Sequence, residues 1–328
     1  MSTVDTVLEL IGRTPLIKLN DSGRRTGPSR FANLEANLFA KLEFLNPSGS
    51  VKDRMAKYMI EQAEKRGDLK SGNTIVEATS GNTGVSFAMV GAVKGYKIVI
   101  VMPETMTKER QQMMRAYGAE VVLTPGDQYV KGSVDKAKEL AKQPGWWMAS
   151  QFDNFDNVAA HRETTGKEIL EQVPGGKVDA FVASVGTGGT LMGVAEALRA
   201  VNPEVKIIAA QPATSRELTG GEPGKHRIEG IADGFVPKIV DKSRIHETIN
   251  VRDEDAVRFC RVLATEKGLF CGISSGCNVF AALRIARGMK KGQNLVTVLP
   301  DSADRYLSIG LFEAEAEQVV VPSSCTPL

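Results

Sequence analysis

Val178-Asp179-Ala180-Phe181-Val182-Ala183-Ser184-Val185-Gly186-Thr187-Gly188-Gly189-Thr190 runs from an apolar strand straight into a glycine-rich turn, and residues 191–200 then read as a helix. A strand of almost continuous apolar residues has no face for water, so it belongs in a parallel sheet covered on both sides. The pattern recurs. Strands are predicted over 74–78, 97–102, 120–123 and 146–149, and helices over 50–66, 85–94, 107–117 and 133–142. Gly67, Gly95 and Gly118 stop three of these helices. Beyond the quoted stretch follow a strand over 205–210, helices over 253–267 and 277–289, and a strand over 294–299. Two α/β units of similar size therefore share the chain, each with a mainly parallel sheet. Irregular loops are expected at 20–30 and 220–227, where glycine, proline and charge gather.

Composition narrows the function. The chain has 328 residues, 42% hydrophobic and 24% charged, with a net charge of +2. That balance lacks the basic excess of a general nucleic-acid binder. No apolar run approaches the ~18 residues that span a bilayer. Met1-Ser2-Thr3-Val4-Asp5 has neither the basic nor the apolar region of a signal peptide, so a cytoplasmic location is expected. Cys260, Cys271, Cys277 and Cys325 form no C-x-x-C pair, and His161, His226 and His246 stand at no zinc-ligand spacing from them. The first three cysteines are expected to be reduced core residues, and no metal site is expected.

Three small-residue loops carry the chemical signal. Gly186-Thr187-Gly188-Gly189-Thr190 follows a strand and opens a helix, where glycines admit an anion to backbone N–H groups. A plain turn needs fewer glycines and threonines. Leu191 stands where a dinucleotide fingerprint requires glycine, and no Walker loop occurs, so a mononucleotide or another monophosphate remains. Thr79-Ser80-Gly81-Asn82-Thr83-Gly84 is built to take a small carboxylate, or else is a cluster of helix caps. Gly272-Ile273-Ser274-Ser275-Gly276 enters a further helix. The fourth element is Lys52, in Asn46-Pro47-Ser48-Gly49-Ser50-Val51-Lys52-Asp53-Arg54. A helix start favours anions, so a lysine there should be easier to deprotonate and hence more nucleophilic, or else it is a solvated surface lysine. A lysine, a monophosphate cup, a carboxylate loop and an isolated hydroxyl together describe a site for pyridoxal phosphate.

On these motifs the sequence resembles the cysteine synthase (O-acetylserine sulfhydrylase) family of fold-type II pyridoxal-phosphate enzymes. Further matches are Ile11-Gly12-Arg13-Thr14-Pro15-Leu16, Gln151-Phe152-Asp153-Asn154, Thr164-Thr165-Gly166, Glu229-Gly230-Ile231, Leu299-Pro300-Asp301-Ser302 and Arg305-Tyr306-Leu307-Ser308. The resemblance implies the tryptophan synthase β-like fold, with two three-layer α/β domains of mainly parallel twisted sheets. It implies a smaller mobile substrate-binding domain at 46–156, and a larger phosphate-binding domain made of 1–45 plus 157–328. It makes Lys52 the Schiff-base lysine and the base for the α-proton. Gly186, Thr187, Gly188, Gly189 and Thr190 become the phosphate cup, Asn82 the partner of the cofactor's 3′-oxygen, and Ser274 that of its pyridine nitrogen. Thr79, Ser80, Thr83 and Gln151 would hold the substrate carboxylate, and Gly230 would face the site through its backbone.

The activity implied is β-replacement on O-acetyl-L-serine by sulfide, giving L-cysteine and acetate through an α-aminoacrylate. A homodimer is implied too, as is docking of the C-terminal tail of serine acetyltransferase. Cystathionine β-synthase chemistry and a non-catalytic scaffold role are the alternatives, separated by acceptor preference and by cofactor content. A third is O-phosphoserine as donor, for which the basic loop Lys225, His226 and Arg227 would be suited. Gln211-Pro212 stands where the family commonly has Glu-Pro, Ala303 where it has glycine, and the segment 20–37 is long.

Overall fold

The structure is a computed structural model that describes residues 3–20, 29–310 and 312. Most of the expected loop at 20–30, and Cys325, lie outside the described residues. The chain begins with two strands, β1 (Leu16–Lys18) and β2 (Asn37–Leu42), paired antiparallel. Helix α1 (Lys52–Arg66) then leads into a parallel series: β3 (Thr74–Ala78), α2 (Asn82–Lys94), β4 (Lys97–Pro103), α3 (Lys108–Ala116), β5 (Glu120–Thr124), α4 (Tyr129–Leu140) and β6 (Trp146–Met148). Its strands form a four-stranded parallel sheet in the order β5-β4-β3-β6.

Next come α5 (Asp156–His161), a π-helical turn at Arg162–Gly166, and α6 (Lys167–Gln172). The remainder is β7 (Ala180–Ser184), α7 (Gly189–Val201), β8 (Lys206–Pro212), β9 (Glu247–Val251), α8 (Asp253–Lys267), α9 (Ile273–Ala286) and β10 (Asn294–Leu299). These strands join the first two in a six-stranded sheet, β1-β2-β10-β7-β8-β9, parallel except at β1.

The apolar strands are explained by cover on both faces. In the smaller sheet Ile75, Ile98, Ile100 and Met102 pack with Met55 and Met59 of α1 and Phe87 of α2. The alternate positions Val76, Ala78, Val99 and Val101 pack with Ala137 of α4. The larger sheet repeats the rule. Val182, Ile208 and Leu295 meet Val279 and Leu283 of α9, while Phe181, Ile207 and Val296 meet Leu191 and Val194 of α7. Each such side chain contributes about 1.5–3 kcal/mol by leaving water. Glu77 is the exception in β3. It is fully buried, and Oε1 accepts the Ala78 N–H at 3.0 Å. Burial pushes its carboxyl up to about 8 against the pull of backbone N–H groups from Ala78, Ser150 and Gln151.

Gly67, Gly95 and Gly268 end α1, α2 and α8 in the left-handed conformation. Cys260, Cys271 and Cys277 are buried free thiols. Among the described residues no helix is long and apolar enough to cross a membrane. The two sheets meet so that the loops after β3, β7 and β10 converge, the usual place for ligands in open α/β sheets.

Candidate active site

Lys52 is the first residue of α1, and its N–H donates to Ser50 Oγ at 3.1 Å. The start of that helix is pinned from several sides. Asp53 accepts from Ser48 N at 2.8 Å and Ser86 Oγ at 2.6 Å. Buried Arg54 pairs with Glu43 and Glu168, each at 2.6 Å, and Glu168 also takes Lys41 at 2.7 Å. Burial would raise the Glu168 carboxyl, but hydrogen bonds and charge from Arg54 and Lys41 hold it at about 2. Lys52 itself is half-buried. Burial pushes its ammonium below the usual lysine value, and the carboxylates of Asp301 and Asp233 pull the other way. The direction expected from the helix position is found, and desolvation is its main cause.

Gly186, Thr187, Gly188, Gly189 and Thr190 wrap the entrance to α7. Gly188 has φ +89°, a conformation that side chains resist. A Cβ on Gly186 would lie 2.4 Å from the carbonyl oxygen of Gly230. Asn157 donates to Thr187 Oγ1 at 3.0 Å and to the carbonyl of Gln151 at 2.9 Å. Behind Thr190, at 3.2 Å, stands His161 Nε2, and its Nδ1 is 2.9 Å from Thr165 Oγ1. Burial drops the His161 imidazole to about 3, so it is neutral. The cup thus combines the N–H groups of a helix start with two fixed hydroxyls.

The second loop is equally ordered. Gly81 N–H donates to Thr79 Oγ1 at 2.9 Å. Thr83 Oγ1 donates to Gln151 Oε1 at 2.6 Å, and Gln151 Nε2 to the carbonyl of Ala78 at 2.6 Å. Asn82 is held by the opposite sheet: Nδ2 donates to Asp301 Oδ2 and Oδ1 accepts from Arg305 Nη1, both at 2.6 Å. Tyr306 OH donates to the same Asp301 oxygen, and Oδ1 of Asp301 has no partner.

The sequence-predicted residues gather around two adjoining cavities. One is lined by Lys52, Gly186, Thr187, Gly188, Thr190 and Ser274. The other is lined by Lys52 and Thr187 again, with Thr79, Ser80, Asn82, Thr83, Gln151 and Gly230. Gly189 lines neither and is the first residue of α7. Ser274 lies inside the first turn of α9, which starts four residues earlier than its sequence pattern indicates. Lys225, His226 and Arg227 line neither cavity. Sequence reasoning missed Arg110 and Asp233, which both face the second cavity. Burial pushes the Asp233 carboxyl up to about 6 against the pull of Lys52 and His226. Arg110 carried no signal, because it interrupts no apolar pattern. Among the described residues no cluster of three His, Cys, Asp or Glu could hold a metal.

The family model for pyridoxal-phosphate dependent enzymes matches residues 7–301. The chain belongs to the pyridoxal-phosphate dependent enzyme family. This pyridoxal-phosphate dependent enzyme is 46% identical over 309 residues to a cysteine synthase of Staphylococcus aureus, covering 94% of this chain and 97% of that one. It is also 46% identical over 315 residues to a probable cysteine synthase of Bacillus subtilis, covering 95% and 99%. Among solved structures, cysteine synthase from Entamoeba histolytica superposes with a TM-score of 0.88 at 39% identity, covering 96% and 93%. The O-acetylserine dependent cystathionine β-synthase of Helicobacter pylori does so at 0.88 and 40%, covering 95% and 100%.

The geometry fits the family's cofactor. The cup at 186–190 can close this tightly only with glycine at 186 and 188, since a Cβ there would stand 2.4 Å from the Gly230 oxygen and 2.2 Å from Val240 Cγ2 respectively, and what remains is a cradle of backbone and hydroxyls. Lys52 lies across the same cavity, and Ser274 supplies a buried hydroxyl.

Proposed function

We propose that the protein converts O-acetyl-L-serine and sulfide into L-cysteine and acetate, as a transferase. One observation carries this reading: Lys52, together with Thr187 of the cup, lines both the phosphate-type cavity and the carboxylate-type cavity. A residue so placed reaches a cofactor on one side and the α-carbon of an amino acid on the other. Gly186, Thr187, Gly188, Gly189 and Thr190 would hold the phosphate of pyridoxal phosphate, Lys52 its aldehyde carbon, Asn82 its ring oxygen and Ser274 its ring nitrogen. Bound there, the cofactor supplies the electron sink that loosens the α-proton of an amino acid.

The chain's own residues do the rest. Thr79, Ser80, Thr83 and Gln151 hold the substrate carboxylate, with the backbone of Gly230 opposite. Lys52 Nζ, already shifted toward its neutral form, takes the α-proton as general base. Acetate leaves with the electron pair of the Cβ–O bond, sulfide forms the Cβ–S bond, and Lys52 returns the proton to the α-carbon. Burial of the cleft excludes water, which favours sulfide over hydrolysis. The segment 46–156 acts as a smaller mobile domain closing on a larger one made of 1–45 and 157–328. The core of the four-stranded sheet is drawn almost wholly from 46–156, with Leu8 and Ala160 added from outside it, which supports the division. The same reading makes the enzyme a cytoplasmic homodimer, for which the exposed apolar residues Val7 and Leu10 offer surface. A carboxyl-terminated tail such as that of serine acetyltransferase would meet the loop at 79–83.

The test is cysteine formation from O-acetyl-L-serine, with sulfide and homocysteine compared as acceptors, in the protein and in Lys52→Ala. Sulfide should be the faster acceptor. The variant should lose about 1,000-fold or more in rate, together with the near-visible absorbance of lysine-attached cofactor. A variant that kept both would sink the reading.

A further inference from the structure

Arg110 lies on α3 with only 2% of it exposed, a burial that arginine rarely accepts without a partner. Its Nη1 donates to Glu229 Oε2, in the loop just before Gly230. Arg110 belongs to the layer of the four-stranded sheet, whereas Glu229 follows β8 of the six-stranded sheet, so the ion pair crosses the cleft. The guanidinium also lies 4.9 Å over the ring of Tyr306, and that tyrosine donates to Asp301. On its other side the side chain fills the space left by Gly81. A Cβ there would be 2.2 Å from Arg110 Cδ and 2.6 Å from Nε. Nε itself is buried and without an acceptor.

The contact that matters chemically is with Ser80, whose carbonyl accepts from Nη1 at 3.5 Å. An anion is bound by N–H groups, and a carbonyl turned toward it would repel it. The peptide unit is planar, so fixing its oxygen fixes its hydrogen on the far side. The Ser80–Gly81 peptide is held at both ends, its oxygen by Arg110 and its N–H by Thr79 Oγ1 at 2.9 Å. The first N–H groups of α2, which begins at the next residue, are left for a ligand. Glu229 has a second effect. It neutralises a guanidinium that faces the cavity and would otherwise attract the substrate carboxylate to the wrong place.

We propose that Arg110, clamped by Glu229, is a positioning residue for the amino-acid substrate: it orients the Ser80–Gly81 peptide, so α-carboxylate binding depends on an ion pair that joins the two walls of the cleft. This rests on the carboxylate role given above to the loop at 79–83.

The holoenzymes of Arg110→Met, Arg110→Lys and Glu229→Gln decide it. Each is titrated with L-serine, which carries the α-carboxylate without the acetyl leaving group, while the cofactor absorbance is followed. Arg110→Met should raise the Kd for L-serine and the KM for O-acetyl-L-serine by about tenfold or more, with the KM for sulfide and the cofactor bound per chain within twofold of normal. Arg110→Lys keeps the charge but not the planar fork, and should recover part of the loss. Glu229→Gln, nearly isosteric, should weaken L-serine by about threefold or more. Unchanged L-serine affinity in Arg110→Met overturns the proposal. So does loss of cofactor in step with L-serine affinity, which marks a packing residue only. Should Arg110→Met fail to fold, Glu229→Gln carries the decision, and a normal L-serine Kd in it is fatal. If the unaltered enzyme makes no cysteine while the L-serine effects appear, the clamp stands and the cysteine-forming reading falls. Normal cysteine formation with no L-serine effect gives the reverse.

Discussion

Replacing Gly189 with alanine adds one methyl group at a place with no room for it. The new Cβ would lie 2.0 Å from Asn157 Oδ1, 2.4 Å from its Cγ and 2.9 Å from its Nδ2. The whole amide must move, yet Asn157 is fully buried and holds Thr187 Oγ1 and the carbonyl of Gln151. Two buried hydrogen bonds are at stake, each costing about 1–3 kcal/mol when a partner is left unsatisfied. Overpacking adds about 1–3 kcal/mol. Alanine gives back about 1 kcal/mol of helix propensity at the start of α7. A net loss of about 3 kcal/mol follows, and because Thr187 is part of the cup, most of it falls on cofactor binding. That corresponds to about a 100-fold rise in the Kd for pyridoxal phosphate. The assay is refilling of cofactor-stripped protein with pyridoxal phosphate, read by absorbance, with Tm measured alongside. A Gly189→Ala protein that bound cofactor within threefold of normal and melted at the same temperature would refute the idea that Asn157 braces the cup.

Two pH effects should be separable by urea unfolding. The Glu168 carboxyl titrates at about 2 in the fold against 4.5 unfolded, so its stabilisation is complete above pH 4.5 and is lost as pH falls toward 2. Glu168→Gln should cost about 3 kcal/mol at pH 7, at about 1.4 kcal/mol per pKa unit, and the gap should close near pH 2; a gap independent of pH would mean Arg54 and Lys41 do not set it. Glu77 runs the other way: its folded value of about 8 lies above 4.5, so the fold binds the extra proton and stability falls as pH rises from 4.5 through 8. Glu77→Gln, which keeps the acceptor for Ala78, should flatten that decline, and an unchanged slope would show that Glu77 is ionised in the fold.

The parts legible in the sequence were those where backbone chemistry restricts residue choice. The apolar strands required cover on both faces, and Gly67, Gly95 and Gly118 marked helix ends because their left-handed φ excludes most side chains. Gly188 was readable for the same reason, and Gly186 and Gly189 because a Cβ on them would stand 2.4 Å from the Gly230 oxygen and 2.0 Å from Asn157 Oδ1. Helix starts were less clear. α2 begins at Asn82 and α9 at Ile273, where small and polar residues read as loop. Those residues suit a helix end that meets a ligand, and there propensity is a poor guide. The strand β9 and the pair β1 and β2 were not read at all. Glu247–Val251 alternates weakly, and Leu16–Lys18 is too short to show a period. α5 and α6 were hidden by Thr164, Thr165 and Gly166, which weaken a helical pattern. Arg110 and Asp233 were silent because their importance lies in which distant loops they meet, and no local spacing encodes that.

The π-helical turn at Arg162–Gly166 has a consequence for the tolerance of this segment to change. On one side of it His161 must reach Thr190, and on the other Glu168 must reach Arg54. A wide turn spends about five residues on the rotation that an α-helix makes in about four, so its extra residue is taken up inside the turn and the helices on either side keep their phase. Removing a single residue there would restore ordinary helix and leave His161 and Glu168 on the faces they now occupy. Removing one from α6 ahead of Glu168 would instead turn that side chain by about 100°, away from the guanidinium that steadies the helix of Lys52. The turn is therefore the place in this stretch where the chain can lose a residue without dislodging either contact.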